Sequence, residues 1–159
     1  MKKVLIIVII VFIVFIIGGL FMIFGDREKK IDNIHDINTF RFSYTVGYHY
    51  EASIEYEVEC NDKCSLKYKG EGITIENASI YEFDKDKVKE LENILNKYKV
   101  GRWNGFNKSD RYVLDGNSFS LSISMNNDEY VSASGYMKWP KNYKEVKEEL
   151  ITFFSTIIK

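Results

Sequence analysis

The chain has 159 residues, of which 45% are hydrophobic and 15% aromatic, with a single proline; this composition is typical of a folding sequence and excludes an intrinsically disordered chain. The part of the chain after residue 25 carries 20 basic residues (all 22 except Lys2 and Lys3) against 23 acidic ones, a net charge of −3. Because nucleic-acid-binding domains carry a basic excess, this balance argues against a nucleic-acid partner.

The first predicted element is a membrane span over Val4–Phe24. These 21 consecutive residues contain no charged side chain, and a helix of that length extends roughly 31 Å, close to the hydrocarbon thickness of a bilayer. A cleaved signal peptide is the alternative, but its apolar region is usually shorter and is followed by small residues, whereas Phe21–Phe24 occupy that place here. A lipoprotein signal is excluded because the first cysteine is Cys60. The sequence therefore predicts an uncleaved signal anchor over residues 1–25.

The orientation of this span decides where the rest of the chain lies. Basic residues flank the span in similar numbers on both sides, so the positive-inside rule does not separate the two orientations. A large C-terminal domain is translocated largely regardless of its charge, which favours an N-terminus inside. We expect a single-pass protein of the cell membrane, with a juxtamembrane linker over residues 26–38 and an extracytoplasmic domain over residues 39–159.

The domain opens with segments in which apolar and polar residues alternate. Phe40–Tyr44 forms the first alternating segment, and in Tyr48–Cys60 every even-numbered residue is apolar and every odd-numbered residue is polar. A period of two residues over such a length predicts a long strand with one solvated face. The alternation continues at Leu66–Tyr68, so these segments are typical of an antiparallel meander.

Cys60 and Cys64 flank a three-residue turn, and we expect them to close a β-hairpin as a disulfide. Both cysteines lie on the apolar register of their strands, so even-numbered residues must oppose even-numbered ones. The opposed pairs are then Val58 with Leu66, Tyr56 with Tyr68, Glu57 with Lys67 and Glu55 with Lys69. Half of a zinc site is the alternative, but two further ligands are missing nearby. A disulfide indicates an oxidising compartment, in agreement with an extracytoplasmic domain.

Two later segments have a hydrophobic period of three to four residues. The first follows Asp84, a good N-cap, and ends before Gly101, which we expect to provide the left-handed stop. The second runs from about Asn142 toward the C-terminus. Strands are predicted between them at Phe119–Met125 and Val131–Gly135. The predicted class is α+β: an N-terminal transmembrane helix, then an antiparallel sheet of five to seven strands with two helices packed on one face.

Motifs of catalysis are absent from the sequence. There is no G-x-S-x-G, S-x-x-K, P-loop or G-x-G-x-x-G string, and the two histidines, His35 and His49, have no partners in a recognised catalytic or metal-binding pattern. The sequence therefore predicts no catalytic residue, no metal site and no cofactor.

Both tryptophans lie in long loops that carry aromatic, asparagine and charged side chains. Such loops are frequent places for binding sites, and the candidate ligand-binding residues are Trp103, Asn104, Phe106, Tyr136, Trp139 and Tyr143. Two interpretations stay open. The tryptophans either stack on a sugar or anchor a peptide, or they close the ends of the core with their indole N–H groups bonded to backbone.

Two strings in these loops carry a resemblance to a known family. They are W-N-G-F at Trp103–Phe106 and G-Y-M-K-W-P at Gly135–Pro140. Through them, the stretch from about Leu91 to Phe154 resembles a family of uncharacterised extracellular proteins, membrane-anchored or lipoprotein-like, from clostridia-like Gram-positive bacteria. The chain departs from that family in its long anchor and its missing lipidation cysteine. The family has no assigned activity, so the resemblance implies a location and no mechanism.

The function expected from the sequence is a non-catalytic binding or interaction module on a membrane anchor. Its expected partners are the membrane and a cell-wall glycan, a peptide or another surface protein. The alternative is an extracytoplasmic enzyme of unrecognised type that uses carboxylates such as Asp110 and Asp115, beside Trp103 and Trp139, for acid–base chemistry on a glycoside. A cleft that joins paired carboxylates to the two tryptophans would favour the enzyme.

Overall fold

The structure, a computed structural model, describes residues 30–45 and 52–158. The predicted signal anchor, Val4–Phe24, and the start of the predicted second strand, residues 48–51, lie outside these ranges. Within the described part of the chain, no helix has the length and apolar character that crossing a membrane requires.

The described residues form seven strands, two α-helices and two short 3₁₀ turns. In chain order they are β1 (Ile37–Thr45), β2 (Ser53–Cys60), β3 (Cys64–Lys69), a 3₁₀ turn (Ile75–Asn77), β4 (Ser79–Phe83), α1 (Asp86–Lys97), a second 3₁₀ turn (Val100–Trp103), β5 (Phe106–Ser109), β6 (Ser118–Met125), β7 (Tyr130–Tyr136) and α2 (Tyr143–Ser155). The α+β class predicted from the sequence is therefore confirmed.

All seven strands join one sheet in the order β4-β3-β2-β1-β6-β7-β5. Neighbouring strands are antiparallel except β5 and β7, which run parallel. The prediction of a wholly antiparallel sheet is wrong in this respect, and the sheet is mixed. The physical reason is that β5 lies beside β7 and not beside β6, its neighbour in sequence, so β6 carries the chain back before β7 resumes the direction of β5. Phe106 is the single apolar residue of β5, and no alternation marks this strand.

The apolar side chains of the strands point to one face, and both helices cover that face. Phe40 and Phe42 of β1 are fully buried there. The ring of Phe154 in α2 lies 4.5 Å from that of Tyr56 and 5.8 Å from that of Phe40, centroid to centroid. From the helices, the buried apolar residues of this core are Val88, Leu91, Leu95, Val146, Leu150, Phe153 and Phe154.

The hairpin of β2 and β3 has the register that the sequence predicts. Cys60 opposes Cys64 with their Cα atoms 4.2 Å apart and their sulfur atoms at bonding distance. The other opposed pairs are Val58 with Leu66, Tyr56 with Tyr68, Glu57 with Lys67 and Glu55 with Lys69. The predicted register and the cysteine pairing are both confirmed.

On the polar face of this hairpin, the glutamates of β2 form their ion pairs with β1 and not with the opposed lysines of β3. Arg41 of β1 forms ion pairs with Glu55 at 2.8 Å and Glu57 at 3.1 Å. Lys69, which opposes Glu55, instead donates hydrogen bonds to the backbone and side-chain oxygens of Ser53, at 2.7 and 2.8 Å. A guanidinium suits this place because it can donate to two carboxylates at once.

The chain begins to pack before the predicted end of the juxtamembrane linker. Ile31, Ile34 and Ile37 all have buried side chains, and the amide of Asn96 in α1 exchanges two hydrogen bonds of 2.7 Å with the backbone of Ile34. Residues 31–36, which we call the leading segment, therefore belong to the domain. Only apolar residues at intervals of three mark the segment, and the polar residues between them conceal it in the sequence.

The turn after α1 brings the leading segment against the second 3₁₀ turn. Lys99, and not Gly101 as predicted, adopts the left-handed conformation, with φ 56°. Gly101 serves a different purpose: the Ile31 N–H donates a hydrogen bond of 3.2 Å to its carbonyl oxygen, and a Cβ at Gly101 would overlap the carbonyl of Ile31. A glycine is needed here because the two backbones approach each other closely.

Candidate functional site

A cavity of about 580 Å³ lies where the end of α1, the second 3₁₀ turn, β5 and the loop before α2 meet. Its size is in the range of small-ligand sites, roughly 300–1,000 Å³. The lining residues are Lys97, Tyr98, Lys99, Arg102, Trp103, Phe106, Lys108, Trp139, Pro140, Lys141 and Asn142. Both tryptophan-bearing loops contribute, so the fold brings together two segments that are distant in sequence.

The two tryptophans of the cavity are held in different ways. Trp103 is only 4% exposed; its indole N–H donates a hydrogen bond of 3.1 Å to the Lys141 carbonyl oxygen, and its ring meets that of Phe119 edge to face at 6.2 Å. Trp139 is 39% exposed and is stacked on Tyr143 with a centroid separation of 4.6 Å. Trp103 thus closes the end of the core, whereas Trp139 presents aromatic surface to solvent.

Five cationic side chains surround these aromatic rings. Lys97 pairs with Glu149 of α2, whose hydrogen bond raises the pKa of Lys97 and so keeps its ammonium charged. Arg102 lies 3.3 Å from a carboxylate oxygen of Asp32 in the leading segment. No carboxylate within the described ranges forms an ion pair with the remaining three, which are Lys99, Lys108 and Lys141.

The carboxylates considered in the sequence analysis do not line this cavity. Asp110 forms an ion pair with Lys138 at 3.0 Å, and the hydrogen bond from Lys138 lowers the pKa of Asp110. Asp115 is exposed. A general acid needs a raised pKa to hold its proton near neutral pH, so Asp110 has the opposite of the required property. The paired carboxylates of the acid–base alternative are not found among the described lining residues.

The six candidate residues fall into three groups. Trp103, Phe106 and Trp139 line the cavity, and Tyr143 supports Trp139 from behind. Asn104 and Tyr136 are not part of the lining and bind neighbouring backbone instead. The side-chain oxygen of Asn104 accepts a hydrogen bond of 2.9 Å from the Ser132 N–H, and the Tyr136 hydroxyl donates one of 2.8 Å to the Leu114 carbonyl oxygen.

The cationic residues of the cavity are not among the candidate residues predicted from the sequence. The signal was present as basic residues interleaved with the aromatic ones, such as Arg102 and Lys108 in the first loop and Lys141 in the second. Within either loop considered alone, these basic residues are typical of an ordinary solvated surface. The concentration of positive charge arises only when the fold places the two loops together at the end of α1.

The cavity combines cationic side chains with exposed aromatic surface. Its chemistry therefore suits a ligand that carries negative charge and also has a ring with an apolar face. Within the described ranges, no three His, Cys, Asp or Glu side chains are placed to hold a metal ion. The strings W-N-G-F and G-Y-M-K-W-P, which carry the resemblance stated above, both reach the cavity through their tryptophans. In comparisons with known proteins, no protein-family model and no curated protein matches this chain.

Proposed function

We propose that this protein is a single-pass, membrane-anchored protein of the cell envelope whose extracytoplasmic domain binds an anionic cell-wall glycan and catalyses no reaction. The observation that carries the proposal is the cavity, which joins five cationic side chains to an exposed tryptophan face without a carboxylate among its described lining residues. The apolar Val4–Phe24 segment and the disulfide-forming cysteine pair support the location.

The positive charge of the cavity supports an anionic ligand. Lys99, Lys108 and Lys141 have no ion-pair partner in the described part of the chain, so a phosphate or carboxylate can reach them without displacing an internal salt bridge. A hydrogen bond to a charged group contributes about 1.5–3 kcal/mol. The ammonium groups can turn toward an anion because lysine has three rotatable donors on a flexible stem.

The exposed face of Trp139 supports a sugar ring in the same ligand. The apolar face of a pyranose or cyclitol can lie flat on an indole ring, and the association buries apolar surface on both sides. Stacking on Tyr143 already fixes the plane of Trp139. Binding therefore costs less side-chain ordering than it would for a freely rotating tryptophan.

Binding can be measured by tryptophan fluorescence, because the chain has two tryptophans and both line the cavity. Full-length protein in detergent micelles is titrated with a glycan that carries phosphate or uronate groups and with a neutral glycan of the same length. We expect saturable changes in emission with the anionic glycan only. Equal responses to the two glycans, or none to either, would contradict the proposal.

A matched pair of variants tests whether the cavity is the site. The triple variant Lys99→Ser, Lys108→Ser, Lys141→Ser removes the three cations without ion-pair partners among the described residues, and we expect at least a tenfold loss of affinity. The control variant Lys63→Ser, Lys85→Ser, Lys144→Ser removes the same charge from exposed positions elsewhere. If both variants lose affinity equally, the binding is general electrostatic attraction and not a property of the cavity.

The location is tested separately from the binding. Protease added to intact protoplasts should remove the domain, and the mass of the protein from the membrane should include residues 1–25. Full protection of the domain would overturn the orientation, and a mass that lacks residues 1–25 would overturn the anchor.

A further inference from the structure

We propose that the cavity takes a phosphate-bearing sugar or cyclitol headgroup that belongs to a lipid of the same membrane that anchors the protein. This inference rests on the part of the proposed function that gives the cavity an anionic ligand with a ring face, and it names a membrane lipid, in place of a wall glycan, as the source of that ligand. It follows from the position of the cavity relative to the point where the chain arrives from the membrane. Three features support it: the docking of the leading segment, the short chain before that segment, and the distribution of charge in the domain.

The leading segment is fastened directly to the wall of the cavity. The Ile31 N–H donates its hydrogen bond to Gly101, which lies between the lining residues Lys99 and Arg102. The next residue, Asp32, forms the ion pair with Arg102. Because the Ile31 side chain is buried, this attachment is part of the core. The chain therefore enters the domain at the rim of the cavity.

The chain between the predicted span and this attachment is short. Six residues, 25–30, separate Phe24 from Ile31, and six residues reach at most roughly 20 Å when fully extended. A domain of this size is about 35 Å across. The side of the domain at which Ile31 is attached must therefore face the bilayer, and the cavity rim lies within reach of lipid headgroups.

The distribution of charge in the domain directs the anionic lipid to the cavity. The sequence after residue 25 has a net charge of −3, so an anionic bilayer is not attracted to the domain as a whole. The cavity nevertheless has a local excess of positive charge, because five cations line it and only Lys97 and Arg102 among them have a carboxylate partner in the described part of the chain. A phosphate fits the ammonium groups, and a hydroxylated ring next to it can stack on Trp139, so a headgroup that has both matches the site better than a bare phosphate.

Nanodiscs of defined composition test this inference with the full-length protein. One set contains phosphatidylcholine alone, a second adds phosphatidylglycerol, which has a phosphate without a ring, and a third adds phosphatidylinositol, which has both. We expect the largest change in tryptophan emission with phosphatidylinositol, and loss of that change in the triple variant Lys99→Ser, Lys108→Ser, Lys141→Ser, which retains both tryptophans. Equal responses to the second and third sets, or identical spectra in all three, would overturn the inference.

Titration with soluble inositol 1-phosphate distinguishes a failure of the lipid-headgroup inference from a failure of the proposed function. The detergent-solubilised protein should bind it weakly, since the lipid-linked form gains from a high effective concentration at the membrane. If anionic glycans bind in detergent but no nanodisc lipid changes the emission, the source of the ligand is wrong and the proposed function stands. If neither binds, both are wrong.

A longer tether tests the geometry itself. A flexible linker of twenty glycine and serine residues inserted between Lys29 and Lys30 should weaken the response to phosphatidylinositol roughly three- to tenfold, with soluble ligand binding unchanged. The same linker appended after Lys159 is the control and should change neither. An undiminished lipid response with the inserted linker would show that proximity to the bilayer is not what delivers the ligand.

Discussion

The rings of Trp139 and Tyr143 lie nearly parallel, at an interplanar angle of 17° and a centroid distance of 4.6 Å. Tyr143 is the first residue of α2, so this contact fixes the loop before the helix to the helix itself. Trp103, the other tryptophan, is enclosed by the core and bonded to backbone. The two residues should therefore respond differently to substitution.

Replacing Trp103 with alanine should lower the free energy of unfolding by about 3–5 kcal/mol, as large-to-small changes in a core do. Trp139→Ala should lower it less, by about 2 kcal/mol, because the ring is 39% exposed and has two aromatic contacts, with Tyr143 and Phe119. Chemical denaturation of both variants measures the difference. Equal losses would contradict the different environments of the two indoles.

The hydrogen bond of Trp103 can be separated from its packing by Trp103→Phe. The phenyl ring retains much of the apolar contact but leaves the Lys141 carbonyl oxygen without the indole donor. We expect the free energy of unfolding of Trp103→Phe to lie between the values of the wild type and of Trp103→Ala. A loss as large as that of the alanine variant would mean that the hydrogen bond, and not the packing, is dominant.

The Cys60–Cys64 disulfide should be present in protein taken from its native membrane without reductant. Mass spectrometry after alkylation should find neither thiol modified, and Cys60→Ala, Cys64→Ala should lower stability by about 2 kcal/mol in the chain-entropy model for a five-residue loop. Two freely alkylated thiols would show that the disulfide is absent, and this result would also weaken the assignment of the domain to an extracytoplasmic compartment.

Gly101→Ala should destabilise the domain by about 1–3 kcal/mol, because its new methyl group would overlap the Ile31 carbonyl. Amide hydrogen exchange at Ile31 should become faster, since its bond to Gly101 lengthens. Gly70→Ala is the matched control: its Cβ would lie 3.4 Å from the hydroxyl oxygen of Tyr68, the end of a flexible side chain. Similar losses in both variants would contradict the close approach of the two backbones.

Buried tyrosines should make the fold sensitive to alkaline pH. Burial raises the pKa of Tyr56 and of Tyr143 well above 10.0, the ordinary value, so the folded protein retains protons that the unfolded chain releases near that pH. This contribution to stability is fully present below pH 10 and is lost as the pH rises further. Denaturant unfolding at a series of pH values, with tyrosinate absorbance as a second signal, measures the loss.

A pair of phenylalanine variants identifies the groups that are responsible for this loss. Tyr56→Phe should reduce the dependence of unfolding free energy on pH above 10, whatever its effect at neutral pH. Tyr112→Phe should not, because Tyr112 is 97% exposed and its environment hardly changes on unfolding. An unchanged pH dependence in Tyr56→Phe would contradict the assignment.

The β2–β3 hairpin could be predicted residue by residue because the alternation of apolar and polar residues and the cysteine pair together determine its register. Alternation fixes which face each side chain takes, and a cysteine pair across a three-residue turn then leaves one register. The two helices and the class were predicted for a similar reason, since amphipathic periodicity reports burial directly.

What could not be predicted depends on contacts between distant segments. The parallel pairing of β5 rests on backbone hydrogen bonds to β7 and leaves almost no trace in its side chains. The leading segment is held by the two hydrogen bonds between the Ile34 backbone and Asn96 of α1, a contact between residues 62 positions apart that the local sequence does not reveal. In the candidate site, the tryptophans could be predicted because tryptophan is rare and this chain has only two. Lys99 and Lys141 have no such signal, since in sequence they are like any other surface lysine.

The order of strands in the sheet has a consequence for how the chain matures during synthesis. β1 is made first yet lies in the middle of the sheet, between β2 and β6, and Ser43 meets Ser120 across a sequence separation of 77 residues. The meander from β1 to β4 can assemble as it emerges, because its pairings are local. The other edge of β1 stays unpaired until β6 arrives, and contacts between such distant segments form slowly. A nascent chain halted before residue 118 therefore presents an open edge in the centre of its future sheet, where a second nascent copy can add a strand and start aggregation.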